Sequence, residues 1–156
     1  MRTIDTSIRI SSTPERVWEI LTDLPRYEEW NPFIRRAAGR PVAGEVLTLF
    51  IEPPGDRGMT HRPTVMIAEP ARHLQWLGRV AVPGVFSGRH EFVLEPVPGG
   101  TRVRHREEFA GLLVPFLKRT LDHTELGFDQ FNRALKERVE TLGDCAGRTW
   151  RRSPAG

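Results

Sequence analysis

A single cysteine, Cys145, stands in the 156 residues, so no internal disulfide can form. A lone thiol with no disulfide partner fits a cytoplasmic chain. No apolar run approaches the ~20 residues that a helix needs to span a bilayer, and stable membrane insertion is not expected. The opening MRTIDTSIRI has no apolar stretch and no cleavage-like site, so no signal peptide is expected. Cys145 has no evident base beside it, and no Ser or Cys nucleophile constellation is present. Gly99-Gly100-Thr101 precedes a strand pattern and lacks the Lys-Ser/Thr ending of a phosphate loop. No internal repeat marks a second unit.

Lysine is also scarce: 21 of the 23 basic residues are arginine. That explains the pI of 9.7, because a small surplus of groups that never titrate near neutrality pushes the pI far up. The formal net charge is only +3. Two of those charges fall in residues 143–156, where Arg148, Arg151 and Arg152 face Asp144. A nearly neutral body lacks the basic stripe of a nucleic-acid binder. Hydrophobic residues make up 38% and charged residues 28%, the balance of one globular domain and not of a disordered chain.

The hydrophobic pattern divides the chain. Ile4, Ile8 and Ile10 share a parity with Thr6, the period of a half-buried strand. Ser11, Ser12 or Thr13 can cap a helix that Pro14 and Glu15 open, with Val17, Trp18 and Leu21 on one face. Pro25 breaks it, and RYEEW predicts a second short helix ending at Asn31-Pro32. From Phe33 to Phe109, short alternating runs separated by turns predict an antiparallel meander. Pro98-Gly99-Gly100 marks its hairpin turn. A long amphipathic helix follows, opened by Pro115 and stopped by Gly143, with Leu117, Leu121, Thr124, Phe128, Phe131, Leu135, Val139 and Leu142 on one stripe. Gly127 inside it marks a bend or a close contact. The expected class is α+β: a curved antiparallel sheet of about six to seven strands wraps a long C-terminal helix, with two short helices after the first strand. The apolar face of the sheet and the apolar stripe of the helix must cover each other. Residues 1–143 form the expected domain, and 144–156 a loose basic tail.

Four stretches resemble the SRPBCC or START-like superfamily, and within it the polyketide cyclase/dehydrase-like members: TPERVWEILTDLPRYEEWNPF at 13–33, EPARHLQWLG at 69–78, GRHEFVLEPVPGGTRVRHREEFAGLL at 88–113 and FNRALKERVE at 131–140. With the element order, the resemblance covers roughly residues 2–142. It implies the helix-grip fold and an internal cavity between sheet and terminal helix. It implies no universal catalytic residue, and no cofactor is expected.

Candidate residues follow from strand parity. His105 and Glu107 share the inward parity of Val103 and Phe109, about 7 Å apart along the strand. They are the candidate catalytic pair for acid–base work, against the alternative of a structural pair or of Glu107 reaching an arginine. His90 lies on the inward parity of the neighbouring strand, either joining them or facing water at the rim. No metal site is expected, because the spacing of these three matches no ligand motif. Trp76, Phe86, Phe92, Phe109, Phe128 and Phe131 line the cavity or are ordinary core, and Leu49, Ile51, Val65, Phe116 and Thr124 join that list of candidate ligand contacts. Tyr27 and Trp30 flank the expected entrance, Tyr27 as a gate or hydrogen-bonding group and Trp30, with Phe33, as the plug at the end of the sheet.

The leading functional expectation is a binding protein for a small hydrophobic molecule such as a lipid, polyketide or aromatic metabolite, acting as a monomer or weak homodimer. The alternative is a polyketide cyclase/dehydrase-type enzyme using acid–base residues on the last two strands. A third reading is an interaction module that uses the Arg-rich tail.

Overall fold

A computed structural model describes residues 1–80 and 82–149, with side chains as far as residue 143. Strand β1 (Arg2–Ile10) leads into helix α1 (Pro14–Thr22) and the short helix α2 (Tyr27–Trp30). Seven strands follow: β2 (Ile34–Ala38), β3 (Thr48–Ile51), β4 (Met59–His61), β5 (Thr64–Glu69), β6 (His73–Arg79), β7 (Ser87–Val97) and β8 (Gly100–Ala110). Helix α3 (Lys118–Thr149) closes the order. This is the helix-grip architecture. No helix among the described residues is long and apolar enough to cross a membrane.

The strands form two antiparallel sheets, β1-β8-β7-β6-β5 and β2-β3-β4, with Val46 bridged to Thr64 between them. The described residues hold eight strands, against the expected six to seven, because β2 and β4 are short and mostly exposed and carry no alternating apolar signal. The β7–β8 hairpin turns at Pro98-Gly99, where φ of +76° at Gly99 suits a residue without a Cβ.

Local chemistry sets the entry to the sheet. The Thr13 side chain accepts from the Arg16 backbone N–H and caps α1. Asn31 Oδ1 accepts from the backbone N–H groups of Phe33 and Ile34, at 3.0 and 2.9 Å, turning the chain from α2 into β2. Phe33 then packs against α3, edge-on to Phe128. A Cβ at Gly127 would lie 2.2 Å from the Phe33 ring, so this glycine marks a close contact.

Two helix boundaries differ from expectation. Pro115 opens a 3-10 turn (Val114–Phe116), and α3 begins only at Lys118 because the backbone leaves helical geometry at Leu117. Gly143 does not stop α3, which runs to Thr149; its φ is not positive, so it does not take the left-handed conformation of a helix-ending glycine. The rest of the expected tail, residues 150–156, lies outside the described residues.

Candidate functional site

Alternation along β6, β7 and β8 turns one set of side chains toward α3. In register across the sheet, Trp76 opposes His90, and His90 opposes Glu107. One step along, Phe92 opposes His105, and His105 opposes Thr6 of β1. At the open end, Gly78 opposes Gly88, and Gly88 opposes Phe109.

The two histidines, predicted as candidates from parity, are fully interior: His90 is 2% exposed and His105 0%. They belong to one continuous hydrogen-bonded chain. Glu107 Oε2 is 3.1 Å from His90 Nδ1. His90 Nε2 is 2.8 Å from His105 Nε2. His105 Nδ1 is 2.9 Å from Asn132 Oδ1 on α3. Asn132 Nδ2 donates to Thr6 Oγ1 at 2.9 Å, and Thr6 Oγ1 donates to the His105 carbonyl at 3.1 Å. The chain crosses from β8 through β7 and back to β8, then to α3 and β1. His90, His105 and Glu107 therefore form a line and do not converge on a common point.

Aromatic rings enclose the line. Trp76 stacks on His90, with centroids 4.7 Å apart. Phe128 lies parallel to His105 at 3.8 Å, and Phe92 covers the other side at 4.3 Å. Phe131 adds an edge at 5.0 Å. The polar wall expected opposite Phe128 and Phe131 exists, but rings fill the space in front of it. The expectation of an empty cavity at that point is corrected: imidazole and phenyl faces are in direct contact.

Burial sets the electrostatics. It pushes His90 down to about 3 and His105 well below the ordinary imidazole value of 6.5, with His90 as a second cause for His105. It pushes the Glu107 carboxyl up from 4.5 to about 8, partly opposed by the charge of His61 on β4. His61 is itself lowered by burial. These shifts favour the neutral form of all three titratable members of the line near pH 7. Glu107 alone reaches outward, with its side chain 16% exposed. Its Oε1 lies over Gly88, where an added Cβ would come within 2.5 Å of it. Beside it, a Cβ at Gly78 would meet only the Gly88 carbonyl, at 3.9 Å. Gly78 thus leaves a trough without a side chain at the end of the inner face, bounded on the Gly88 side by the Glu107 carboxyl and the Phe109 ring, which lie over Gly88.

The other candidates divide. Phe109 is buried against half-buried Phe86, with centroids 5.8 Å apart, on the same side of the sheet. Leu49 and Val65 are buried core, and Ile51 is half-buried. Thr124 is buried, and its hydroxyl donates to the Thr120 carbonyl within α3. Tyr27 is fully buried and donates to the Leu21 carbonyl at 2.6 Å, so its hydroxyl ties α2 to α1 and does not gate an entrance. Trp30 packs edge-on against Tyr27 and Phe131. Phe116 is corrected outright: it is 83% exposed, because the 3-10 turn sends Val114 inward and Phe116 out. Two surface grooves, of about 370 Å³ over β2 and β3 and about 430 Å³ beside Ser11 and Glu140, include none of the line.

Four participants escaped the sequence reading: Asn132, Gly78, Gly88 and His61. Asn132 left one signal, a polar residue flanking the apolar stripe of α3 between Phe128 and Leu135. The glycines left another, at inward positions of strands whose neighbouring inward residues are large.

Among curated proteins, none matches this chain. Among solved structures, a Mesorhizobium loti protein matches with a TM-score of 0.72 and 26% identity, over 90% of this chain and 98% of its own. The Zhui aromatase/cyclase of Streptomyces sp. R1128 matches with a TM-score of 0.72 and 15% identity, over 89% and 93%. A START superfamily protein of Mycobacterium smegmatis matches with a TM-score of 0.69 and 21% identity, over 90% and 98%. The family model described as polyketide cyclase / dehydrase and lipid transport matches residues 1–140, and the chain belongs to that family.

Proposed function

We propose that this protein binds a small, largely apolar molecule in the Gly78–Gly88 trough, with Glu107 as its polar contact. One observation carries the reading. A buried hydrogen-bonded line of five side chains ends at a part-exposed carboxyl that lies over Gly88, beside the open space at Gly78. An apolar site with a few convergent polar groups is the usual composition of a small-molecule pocket. Phe86 and Phe109 supply the apolar wall. The family description, which joins cyclisation, dehydration and lipid transport, agrees with a small hydrophobic ligand.

The elevated Glu107 also supports a second reading, a cyclase or dehydratase. A carboxyl that holds its proton near neutral pH can move a proton to or from a bound polyketide-like substrate. In that reading Glu107 touches the substrate. His105, sealed behind Phe128, acts only through His90 and is a positioning residue.

Gly78→Val tests the trough. Valine suits a strand and has open space there, so the fold should persist while the branched side chain fills the site. Native mass spectrometry and thermal shift with lipids and aromatics should detect a ligand on the wild type and none on the variant. Equal binding by both proteins, or none by the wild type purified from its host, would overturn the reading.

A further inference from the structure

The hydrogen-bonded line has a direction, and the direction fixes what Glu107 offers to a ligand. Thr6 Oγ1 carries one hydrogen and gives it to the His105 carbonyl, which has none to return. The oxygen of Thr6 must then accept from Asn132, so Nδ2 faces Thr6 and Oδ1 faces His105. An amide oxygen cannot donate, so His105 Nδ1 holds the hydrogen in that contact. A neutral imidazole protonated at Nδ1 is bare at Nε2. The hydrogen between the two Nε2 atoms, 2.8 Å apart, therefore sits on His90. Neutral His90 is then bare at Nδ1 and must accept from Glu107 Oε2. The carboxylic hydrogen is directed inward. Glu107 Oε1, which makes no hydrogen bond among the described residues, is left with lone pairs over Gly88.

We infer that Glu107 meets a ligand as a hydrogen-bond acceptor, so that the trough selects molecules with a hydroxyl or phenol aimed at Oε1 over analogues that present only a carbonyl or an ether. Moving the Oε2 proton onto His90, which would give a carboxylate and an imidazolium, leaves Oε1 bare as well, so both charge states present the same face. The reverse direction would need His105 to donate through Nε2 and to turn its bare Nδ1 toward the bare Asn132 oxygen, 2.9 Å away. Flipping the Asn132 amide to relieve that contact would turn the Thr6 hydroxyl to the amide oxygen and lose its bond to the His105 carbonyl. The depressed affinity of His105 for a second proton agrees with a single hydrogen on that ring. The ligand class rests on the trough reading above, whereas the direction of the line rests on interior hydrogen bonds alone.

Two measurements separate those supports. NMR of the histidine ring nitrogens in the ligand-free protein should find hydrogen on His90 Nε2 and on His105 Nδ1. Hydrogen on His105 Nε2 with His90 Nε2 bare overturns the inference. Binding is then compared for naphthol, methoxynaphthalene and acetonaphthone, which match in ring size and differ in the polar group. Naphthol should bind about tenfold tighter than either analogue. Glu107→Gln should keep the sign of that preference, because its amide N–H can replace the carboxylic hydrogen toward His90 and leave an oxygen facing the trough. A switch to acetonaphthone in that variant would mean that the amide N–H faces outward, and the inference fails. If none of the three probes binds, the trough reading falls, and the ring-nitrogen spectra still decide the direction.

Discussion

Replacing Glu107 by glutamine removes a proton that the folded protein holds and the unfolded chain does not, and this makes its position measurable through stability. Burial raises the carboxyl from about 4.5 to about 8. Between those values the native state binds one more proton than the unfolded state, so raising the pH favours unfolding. The contribution is fully present below pH 4.5 and lost as the pH passes 8. His90 and His105 act in the opposite sense: their depressed values stabilise the fold above the unfolded value of 6.5, and that stability is lost as the pH falls. Their effect is nearly complete by pH 7, and the raised Tyr27 matters only above pH 10. The window from pH 7 to 9 therefore isolates Glu107. Across it the loss amounts to roughly 1 kcal/mol. For a domain of this size that is a fall in Tm of about 3 °C. Thermal melts followed by circular dichroism should show this slope in the wild type and a nearly flat line in Glu107→Gln, whose amide makes the same contact without titrating. Parallel slopes in the two proteins would refute the account, because Glu107 would then be ionised in the folded state.

Two further substitutions test the packing around the line. Phe131→Ala should cost roughly 3–5 kcal/mol in denaturant unfolding, because its ring is fully buried against Tyr27, Phe92 and His105; a loss below about 1 kcal/mol would mean that it faces a void. The two α3 glycines should respond with opposite signs. Gly127→Ala drives a Cβ into the Phe33 ring and should destabilise by about 1–3 kcal/mol, whereas Gly143→Ala meets nothing within 4 Å and should stabilise by up to about 1 kcal/mol. Equal shifts in Tm for the pair would remove the close contact from the explanation.

Periodicity alone determined the order of the elements that have an apolar face, because such a strand or helix repeats at 2 or 3.6 residues whatever surrounds it. The Ile4–Ile10 alternation, the α3 stripe and the inward parity of His90, His105 and Glu107 were legible for that reason. Strands β2 and β4 were not, because short exposed strands owe their existence to neighbours in the sheet and not to their own pattern. Parity states which face a side chain takes and not what it meets there. Only the tertiary structure brought Asn132 from α3, 27 residues away in sequence, against His105, and so turned three inward polar residues into one directed line. It also closed rings over the histidines and left Gly78 and Gly88 side by side in register. Each of these is a distance between residues far apart along the chain. Burial deep enough to neutralise Glu107, and the room beside it, follow from those distances and from nothing local.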